Sequence, residues 1–290
     1  MTWEIIIIAQ VLVSAAMTVF TRRLALNDRK LFFVIGALSY GVVAAMGFIF
    51  SIVFGQGMPT LTNAAVWPYL VIEGIFIPVS WLLQYKVISM LGASNAVLAT
   101  MLNYVGAAIT GFIFLNEKYT LAFLIGALFI LGSIYVSFRI QPDTVHSENS
   151  ALKTKALIVT AMAIFFAIGI FSEKQAIDLI GLWYYASFGW GLQFVGAFLL
   201  LLVFGRDELN HITRRSVRSG LILGFVTSIA GGLFIYALSV GTLSNTIIAA
   251  SAKIALVMLL AAVFLKETNS LKMRIAAFIL AIIGLVFLVS

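Results

Sequence analysis

The sequence predicts an all-α integral membrane protein with ten transmembrane helices arranged as two inverted five-helix repeats. Hydrophobic residues make up 62% of the chain and charged residues only 10%, whereas an ordinary soluble domain has about 25% charged residues. Ten apolar stretches fill the chain, and each approaches the roughly 20 residues that cross a bilayer. Helices are expected because each one satisfies its backbone hydrogen bonds internally where water is absent.

The ten predicted spans follow one another through short, more polar connections. The first stretch has no basic leader before it, so it is expected to remain as a span and not to be cleaved as a signal peptide. In chain order, the predicted spans are Ile5–Phe20, Leu31–Phe54, Val66–Tyr85, Asn95–Leu115, Tyr119–Phe138, Ala156–Phe171, Leu182–Phe204, Gly220–Leu238, Asn245–Leu265 and Leu271–Val289.

The second five spans repeat the first five at an offset of 150 residues. Ser94-Asn95 recurs as Ser244-Asn245, and Val53-Phe54-Gly55 recurs as Val203-Phe204-Gly205. Each match lies at the same point of the same numbered span, which indicates an internal duplication. The predicted divisions are a first repeat over 1–138, a polar linker over 139–155 and a second repeat over 156–290.

The charges of the connections predict that the two repeats are inverted. Five is an odd number of crossings, so the second repeat enters the bilayer upside down relative to the first. The connections on one side of the membrane, counted together with the first turn of the tenth span, hold fifteen Lys and Arg residues, whereas those on the other side hold only Lys118 and Lys174. Because basic connections stay in the cytoplasm, the charge pattern predicts that both termini face outward.

Two similar segments, one in each half, resemble a known family. The stretch from Gln84 to Glu117 ends in Phe114-Leu115-Asn116-Glu117 and precedes a glycine-bearing apolar span. It resembles the EamA-type domain of the drug/metabolite transporter superfamily, and Phe264-Leu265-Lys266-Glu267 with the last span resembles a second copy. The resemblance implies ten helices around a central cavity. It also implies alternating-access transport of small metabolites, amino acids or drugs, frequently outward.

The chain departs from the family pattern in two respects. The family often has Pro about 13 residues before the closing Glu, where this chain has Tyr104 and Ile254. Members also usually have cytoplasmic termini, which conflicts with the outward termini that the charges predict. Glu117 and Glu267 end their segments at helix junctions, where a carboxylate caps the first amides of the next helix. A structural role is therefore expected for both.

Lys253 is the first candidate for a substrate-binding residue. It lies about eight residues into the ninth span, where a charge costs about 2.5–3.5 kcal/mol and usually faces a cavity or a partner. Its repeat counterpart is Asn103, and polar groups at matched depths are expected at a site between inverted repeats. In one interpretation Lys253 binds a carboxylate or phosphate of the solute and Asn103 hydrogen-bonds it. The alternative is a structural ion pair or an interhelical hydrogen bond.

Glu73, in the third span, has three possible roles. It is a candidate proton-coupling carboxylate, or the resting partner of Lys253. It is equally a residue that faces the outer vestibule or the headgroups, because it lies near the start of its helix.

Aromatic and amide side chains near mid-span are candidate cavity walls. Cavities for amphipathic metabolites are mostly apolar with a few placed polar groups. Each of these residues alone is more often a packing residue than a ligand contact. Tyr40 and Trp190 occupy the same repeat position, and Pro78 and Gly231-Gly232 are candidate hinges at similar depths. The predicted wall residues are Tyr40, Trp81, Tyr85, Trp190 and Gln193.

These features predict a secondary active transporter, an exporter of small organic metabolites such as amino acids or related zwitterionic and anionic solutes. It is expected as a multi-pass protein of the cell membrane (inner or plasma), with membrane lipids as surroundings and protons as a candidate coupling ion. Neither a catalytic site, a cofactor nor a metal is expected, because the chain has no Cys and no phosphate-binding glycine loop. The net charge of +7 does not indicate nucleic acid, because the basic residues lie in connections.

Two alternatives stay open at this point. One is a multidrug transporter that exports lipophilic cations, although a buried Lys253 would repel such solutes. The other is a non-transporting scaffold or sensor, which needs neither midplane charge nor inverted repeats.

Overall fold

The helices of the chain follow the predicted spans closely at most boundaries. The computed structural model describes residues 3–27, 31–55, 63–115, 121–140, 152–241, 243–265 and 270–289. Within these ranges the chain is helical and has no β-strand. The helices are α1 (Trp3–Asn27), α2 (Phe32–Phe54), α3 (Trp67–Leu91), α4 (Ala93–Ala99), α5 (Met101–Leu115), α6 (Leu121–Arg139), α7 (Leu152–Ile180), α8 (Leu182–Phe204), α9 (Arg214–Val240), α10 (Leu243–Ala250), α11 (Lys253–Leu265) and α12 (Leu271–Val289), with 3₁₀ turns at Ala64–Val66 and Arg206–His211.

Six helices of the described chain are long and apolar enough to cross a membrane unaided: α1, α2, α3, α7, α8 and α9. The predicted all-α, multi-pass membrane protein is therefore confirmed at this level. The predicted hinge positions lie inside unbroken helices, since α3 runs through Pro78 and α9 runs through Gly231 and Gly232.

The predicted fourth and ninth spans are each divided in two. The first division lies at Thr100, between α4 and α5, and the second at Ser251 and Ala252, between α10 and α11. At each break a tighter i→i−3 bond forms: the Asn103 N–H donates to the Thr100 carbonyl, and the Ile254 N–H to that of Ser251, both at 3.0 Å. Such 3₁₀ geometry inside a helix often marks a functional hinge.

Helices α2 and α8, which are repeat counterparts, cross in the centre of the bundle and run antiparallel. Phe54 at the end of α2 meets Trp183 at the start of α8, with ring centroids 4.9 Å apart. At the other end Phe33 meets Phe204 at 6.4 Å. Gly47 of α2 lies against the backbone of Ala186. A glycine at such a crossing lets two helix backbones approach closely.

Contacts between the halves recur in pairs at the repeat offset. Gly74 of α3 packs on Leu192 of α8, where an added Cβ would stand 3.1 Å from the leucine Cβ. Gly224 of α9 packs on Val42 of α2, where the same distance is 2.7 Å. Each residue of the second pair is the counterpart of one in the first, so the two halves face each other through matching surfaces.

Basic residues collect at one end of the bundle, which we call the basic end. Here the carboxyl end of α1 lies beside the carboxyl end of α3 and the amino end of α9. Arg22 was expected in a connection, but it lies within α1 and is only 1% exposed. Its guanidinium donates to the carbonyl oxygens of Ile88 at 2.9 Å and Ser89 at 3.0 Å. These are among the last carbonyls of α3, which have no partner within the helix.

Lys174 makes the corresponding contact at the opposite end of the bundle. It too lies within a helix, α7, rather than in a connection. Its ammonium donates to the carbonyl of Leu238 near the end of α9 at 3.2 Å, and it pairs with Asp178 at 2.8 Å. A cation therefore satisfies the end of α3 in one half and the end of α9 in the other.

Glu208, in the 3₁₀ turn before α9, caps the amino end of α2 at the basic end. Its carboxylate accepts a hydrogen bond from the Val34 N–H at 3.0 Å. Burial raises the pKa of Glu208 above its ordinary value of 4.5, while hydrogen bonds from the Val34, Phe33 and Phe32 backbone oppose that shift. The turn is thereby tied to the start of α2.

This raised pKa predicts how Glu208 affects stability with pH. A carboxyl that holds its proton more tightly in the folded protein contributes stability below its unfolded pKa, and loses that contribution as pH rises through the folded pKa. Glu208→Gln keeps an acceptor oxygen and removes the ionisation. As the pH is raised from about 4 to about 7, we expect the melting temperature of Glu208→Gln in detergent to increase relative to that of the wild type. The exposed neighbour Asp207→Asn is the control, and an equal gain there would contradict the interpretation.

Candidate functional site

A cavity of about 180 Å³ lies between α2, α3, α7, α8 and α9, and we call it the acid cavity. Its walls are mostly aromatic and aliphatic, with amide, hydroxyl and carboxyl groups at a few points. No Lys or Arg is among the lining residues. They are Tyr40, Val43, Ile77, Ser80, Trp81, Gln84, Phe166, Ile170, Glu173, Trp190, Gln193, Thr227, Gly231, Phe234 and Ile235.

The structure brings four of the predicted wall residues together in this cavity: Tyr40, Trp81, Trp190 and Gln193. Tyr85 lies directly behind them, its ring centroid 5.9 Å from that of Trp81. It is buried, at 4% exposure, and therefore supports the wall instead of facing the cavity.

Lys253 and Asn103 are not among the residues that line the acid cavity. Lys253 is the first residue of α11, a helix that packs on α1 and α4, and it is half-buried there. Asn103 lies in the first turn of α5 and is 6% exposed. Lys253 and Asn103, the first candidates for substrate binding from their depth in the predicted spans, thus lie at the broken helices. The predicted wall residues lie at the acid cavity.

Glu73 is fully buried; it does not line the acid cavity, but it contacts the lining residue Gln193. Its carboxylate accepts a hydrogen bond from the Tyr185 hydroxyl at 2.5 Å and another from the Gln193 side-chain amide. These two residues of α8 are its resting partners in the structure, and the expected Lys253 is not. The alternative that Glu73 faces the outer vestibule or the headgroups does not fit, because its side chain has 0% exposure.

Glu173 is the functional candidate that the sequence did not reveal. It lies in α7, is 6% exposed and lines the acid cavity. Its carboxyl interacts with the same Tyr185 hydroxyl and, electrostatically, with Glu73. The predicted sixth span ended at Phe171, whereas α7 continues to Ile180. The Lys174–Asp178 spacing, which is a helical i,i+4 ion pair, was the available signal for this longer helix.

The two buried carboxyl groups form an electrostatic unit, which we call the acid pair. Two negative charges close together in a low-dielectric site are costly, because the surroundings screen their repulsion only weakly. Tyr185 and Gln193 can donate hydrogen bonds to only part of the four carboxyl oxygens. The pair is therefore suited to bind a positive species, either a proton or a cationic group. Among the described residues, no group of three or more His, Cys, Asp or Glu side chains could hold a metal ion.

The walls of the acid cavity come in pairs related by the offset of 150 residues. Both members of each pair face the cavity, so the cavity lies where the two halves of the chain meet. In four of the five pairs the chemistry differs, because one member is polar or bulky and the other is apolar or small; Tyr40 and Trp190 are both aromatic. The pairs are Tyr40 and Trp190, Val43 and Gln193, Ile77 and Thr227, Trp81 and Gly231, and Gln84 and Phe234.

One of these differences places a group of aromatic rings on the side of the cavity toward the basic end. Trp81 stacks on Phe32 with ring centroids 6.2 Å apart, and Phe32 packs on Tyr85 at 4.4 Å. We call these three residues the aromatic plug. Their repeat counterparts are Leu182, Gly231 and Ile235, and none of these is aromatic.

Glu117 and Glu267, for which a capping role was expected, lie outside the described residues. Lys118 lies outside them as well.

The hydrogen bonds of the acid pair predict a stability effect. Tyr185→Phe leaves the buried Glu73 carboxyl with one donor fewer, and an unsatisfied buried polar group costs about 1–3 kcal/mol. We expect a loss of about that size in the free energy of unfolding, measured by denaturant titration in detergent micelles. Tyr184→Phe removes a hydroxyl at the adjacent, half-buried position and is the matched control. An equal loss in both variants would contradict the role of Tyr185.

Comparison with known proteins relates the first half of the chain to one family. Residues 1–139 match the model of a family described as "EamA-like transporter family". A solved structure titled "Crystal structure of protein" superposes with a TM-score of 0.69 at 15% sequence identity. The alignment covers 98% of this chain and 95% of that chain. A likeness at this identity shows a shared fold alone. No curated protein matches the chain.

Proposed function

We propose that the chain, whose residues 1–139 match the model of the EamA-like transporter family, is a secondary active transporter of small organic solutes. The observation that carries the proposal is the acid cavity, which lies between the two halves and combines aromatic walls with buried carboxyl groups. A scaffold has no need of such a cavity. The family match also agrees with a membrane-embedded transport role and not with an enzyme.

We propose that the two halves, 1–138 and 156–290, are inverted repeats joined by the linker 139–155. Three observations support this arrangement. The counterpart helices α2 and α8 run antiparallel, the Gly74–Leu192 contact recurs as Gly224–Val42, and the cavity walls are paired at the same offset. A solute site at the interface of inverted repeats is the common arrangement in secondary transporters.

The solute that fits the acid cavity carries an ammonium group. Glu173 supplies a carboxyl group to the cavity, and no lining residue supplies a positive charge. The rings of Tyr40, Trp81 and Trp190 present faces that attract cations. Amino acids, related zwitterions and organic amines all share this group. The recognised end of a zwitterion is then its ammonium, whereas the sequence had favoured its carboxylate through Lys253.

Efflux of lipophilic cations is the second candidate function. The sequence argument against it was the repulsion between such cations and Lys253. In the structure Lys253 does not line the acid cavity, so this repulsion does not apply there. Transport of an amine without a carboxylate, compared with transport of the matching amino acid, separates the two candidates.

We propose that protons drive the transport by competing with the solute for the acid pair. When the ammonium leaves, the two buried carboxyl groups would face each other without compensation, and proton binding removes that cost. Solute and proton then occupy the same carboxyl groups in turn, which couples their movements in opposite directions across the membrane.

Alternating access requires that each side of the cavity be closed in one state. We propose that the aromatic plug closes the basic end here, and its counterpart positions carry Gly231 and smaller side chains. If the basic end is cytoplasmic, as the charge pattern predicts, the structure corresponds to a state closed toward the cytoplasm. Both termini then face outward, and export requires the plug to open. We propose the cell membrane as the location.

Substitution of either acid tests the coupling. In proteoliposomes that contain purified protein, we expect uptake of an organic amine driven by a pH gradient to fall to the level of empty vesicles for Glu73→Gln and for Glu173→Gln. Asp178→Asn, an acid on the same side of the bundle that is 49% exposed, is the control and should retain uptake. Gradient-driven uptake that survives in Glu73→Gln would exclude proton coupling at this pair.

Lys253→Ala tests whether the acid cavity is the binding site. Because Lys253 does not line it, we expect amine uptake to stay within about threefold of the wild-type rate. Loss of amine uptake in Lys253→Ala, at normal expression and melting temperature, would place the site at the broken helices instead.

A further inference from the structure

A second cavity of about 410 Å³ lies on the other side of Trp190, away from the basic end, and we call it the lateral pocket. Its volume is in the range of roughly 300–1,000 Å³ that is usual for small-molecule sites. It lies between α1, α2, α8 and α9. The lining residues are Ile6, Phe50, Phe54, Trp183, Ser228, Ile229, Gly232, Leu233 and Tyr236.

The two cavities are adjacent at the Gly231-Gly232 pair of α9. Gly231 lines the acid cavity and Gly232 lines the lateral pocket. A Cβ added at Gly231 would stand 3.4 Å from the Trp190 ring, and one added at Gly232 would stand 3.9 Å from it. The ring centroid of Phe50, which lines the lateral pocket, is 6.4 Å from that of Trp190. Because both residues are glycines, α9 places no side chain beside the Trp190 indole at the point where the two cavities are adjacent.

The lateral pocket is chemically suited to an apolar group. Its aromatic side follows an unbroken series of ring contacts: Phe50 to Phe54 at 6.1 Å, Phe54 to Trp183 at 4.9 Å and Trp183 to Tyr236 at 6.4 Å. The hydroxyl of Ser228 already donates to the Gly224 carbonyl at 2.7 Å. No lining side chain carries a charge.

The pocket opens toward the apolar outer surface of the bundle. Two of its lining residues are also surface residues, Phe54 with 54% and Ile229 with 37% exposure. On the neighbouring turns Ile5 and Val53 are exposed at 51% and 62%. In a membrane-spanning bundle such a surface faces lipid, so the mouth of the pocket admits hydrocarbon from the bilayer side.

The matching positions at the basic end are filled instead. The counterpart of Gly232 is Leu82, and the counterpart of Trp183 is Phe33. Phe33 packs so tightly on Gly205 that an added glycine Cβ would stand 2.5 Å from its Cβ, whereas the equivalent distance from Gly55 to Trp183 is 3.3 Å. The two ends of the bundle therefore differ in packing at these positions.

We propose that the lateral pocket is a subsite for the hydrocarbon part of the transported amine, with the ammonium at the acid pair and the chain passing the Gly231-Gly232 pair beside Trp190. This inference rests on the proposed function for the position of the ammonium. It adds that the solute is amphipathic and that its apolar part is recognised by the Phe50–Trp183–Tyr236 surface.

Equilibrium binding of n-alkylamines tests the subsite independently of transport. The wild type is placed in phosphatidylcholine nanodiscs, and ethylamine, butylamine and hexylamine are titrated against its tryptophan fluorescence, with empty nanodiscs as the blank. Each buried methylene contributes about 0.8 kcal/mol, so affinity is expected to rise about fourfold per methylene. The acid-pair variant Glu73→Gln is measured in parallel.

Gly232→Leu, which introduces the side chain found at the counterpart position, should fill the pocket. We expect hexylamine affinity to fall by about tenfold or more while ethylamine affinity stays unchanged. Gly191→Leu is the matched control, because an added Cβ there meets nothing within 4 Å. Phe54→Ala enlarges the pocket at an exposed position and should extend the rise in affinity to chains longer than hexyl. If Gly232→Leu does not fold, Phe54→Ala alone tests whether the lateral pocket binds the alkyl chain.

The outcomes separate the subsite from the function it rests on. Equal chain-length dependence in Gly232→Leu and Gly191→Leu would overturn the subsite. A second result would also overturn the subsite. If hexylamine affinity in the wild type depends on the acyl length of the nanodisc lipid, and Gly232→Leu removes that dependence, the occupant of the pocket is a lipid chain. If Glu73→Gln retains gradient-driven uptake but the chain-length dependence is as expected, the coupling proposal fails and the subsite stands.

Discussion

The close approach of helix backbones at glycines is the constraint on which the site depends. Gly196 of α8 lies against the carbonyl of Gly74 in α3, and Gly47 of α2 lies against that of Ala186. No side chain separates these helices at the crossings. This proximity places Glu73 within hydrogen-bonding distance of Tyr185 and Gln193, although these residues come from different halves. A side chain at Gly74 or Gly196 would push α3 away from α8 and leave a buried carboxylate without its donors, which is costly in a membrane.

A nearly symmetric frame carries an asymmetric set of side chains. The backbone contacts repeat between the halves, but the acids do not, since the counterparts of Glu73 and Glu173 are Leu223 and Arg23. Trp81 likewise faces its counterpart Gly231 across the cavity. The symmetric part gives two ends of similar construction, each able to close. The asymmetric side chains give the cavity acidic groups alone and place the aromatic plug toward the basic end.

The sequence predicted the membrane class, most helix boundaries and several wall residues, because hydrophobic length and repeat position determine depth in the bilayer. Tyr40 and Trp190 were found in this way. Depth does not determine the direction in which a side chain points, and so Lys253 was favoured although it lies away from the cavity. Glu173 was missed for a related reason. The end of α7 carries charged residues that satisfy one another, and composition alone placed them outside the helix. The helix breaks at Thr100 and Ser251 involve no proline or glycine, the residues that usually mark a break in a sequence. The sequence therefore did not indicate these two breaks.

The number of acids at the site also determines how the protein responds to the electrical potential across the membrane. A single carboxyl group that exchanges one proton for one monovalent ammonium moves no net charge in a full cycle. Glu73 and Glu173 can together release two protons for each ammonium, and such a cycle moves one elementary charge. Each 100 mV of membrane voltage would then add about 2.3 kcal/mol to the driving force. Under the proposed function, the two carboxyl groups near Tyr185 would therefore let voltage, as well as a pH gradient, drive transport.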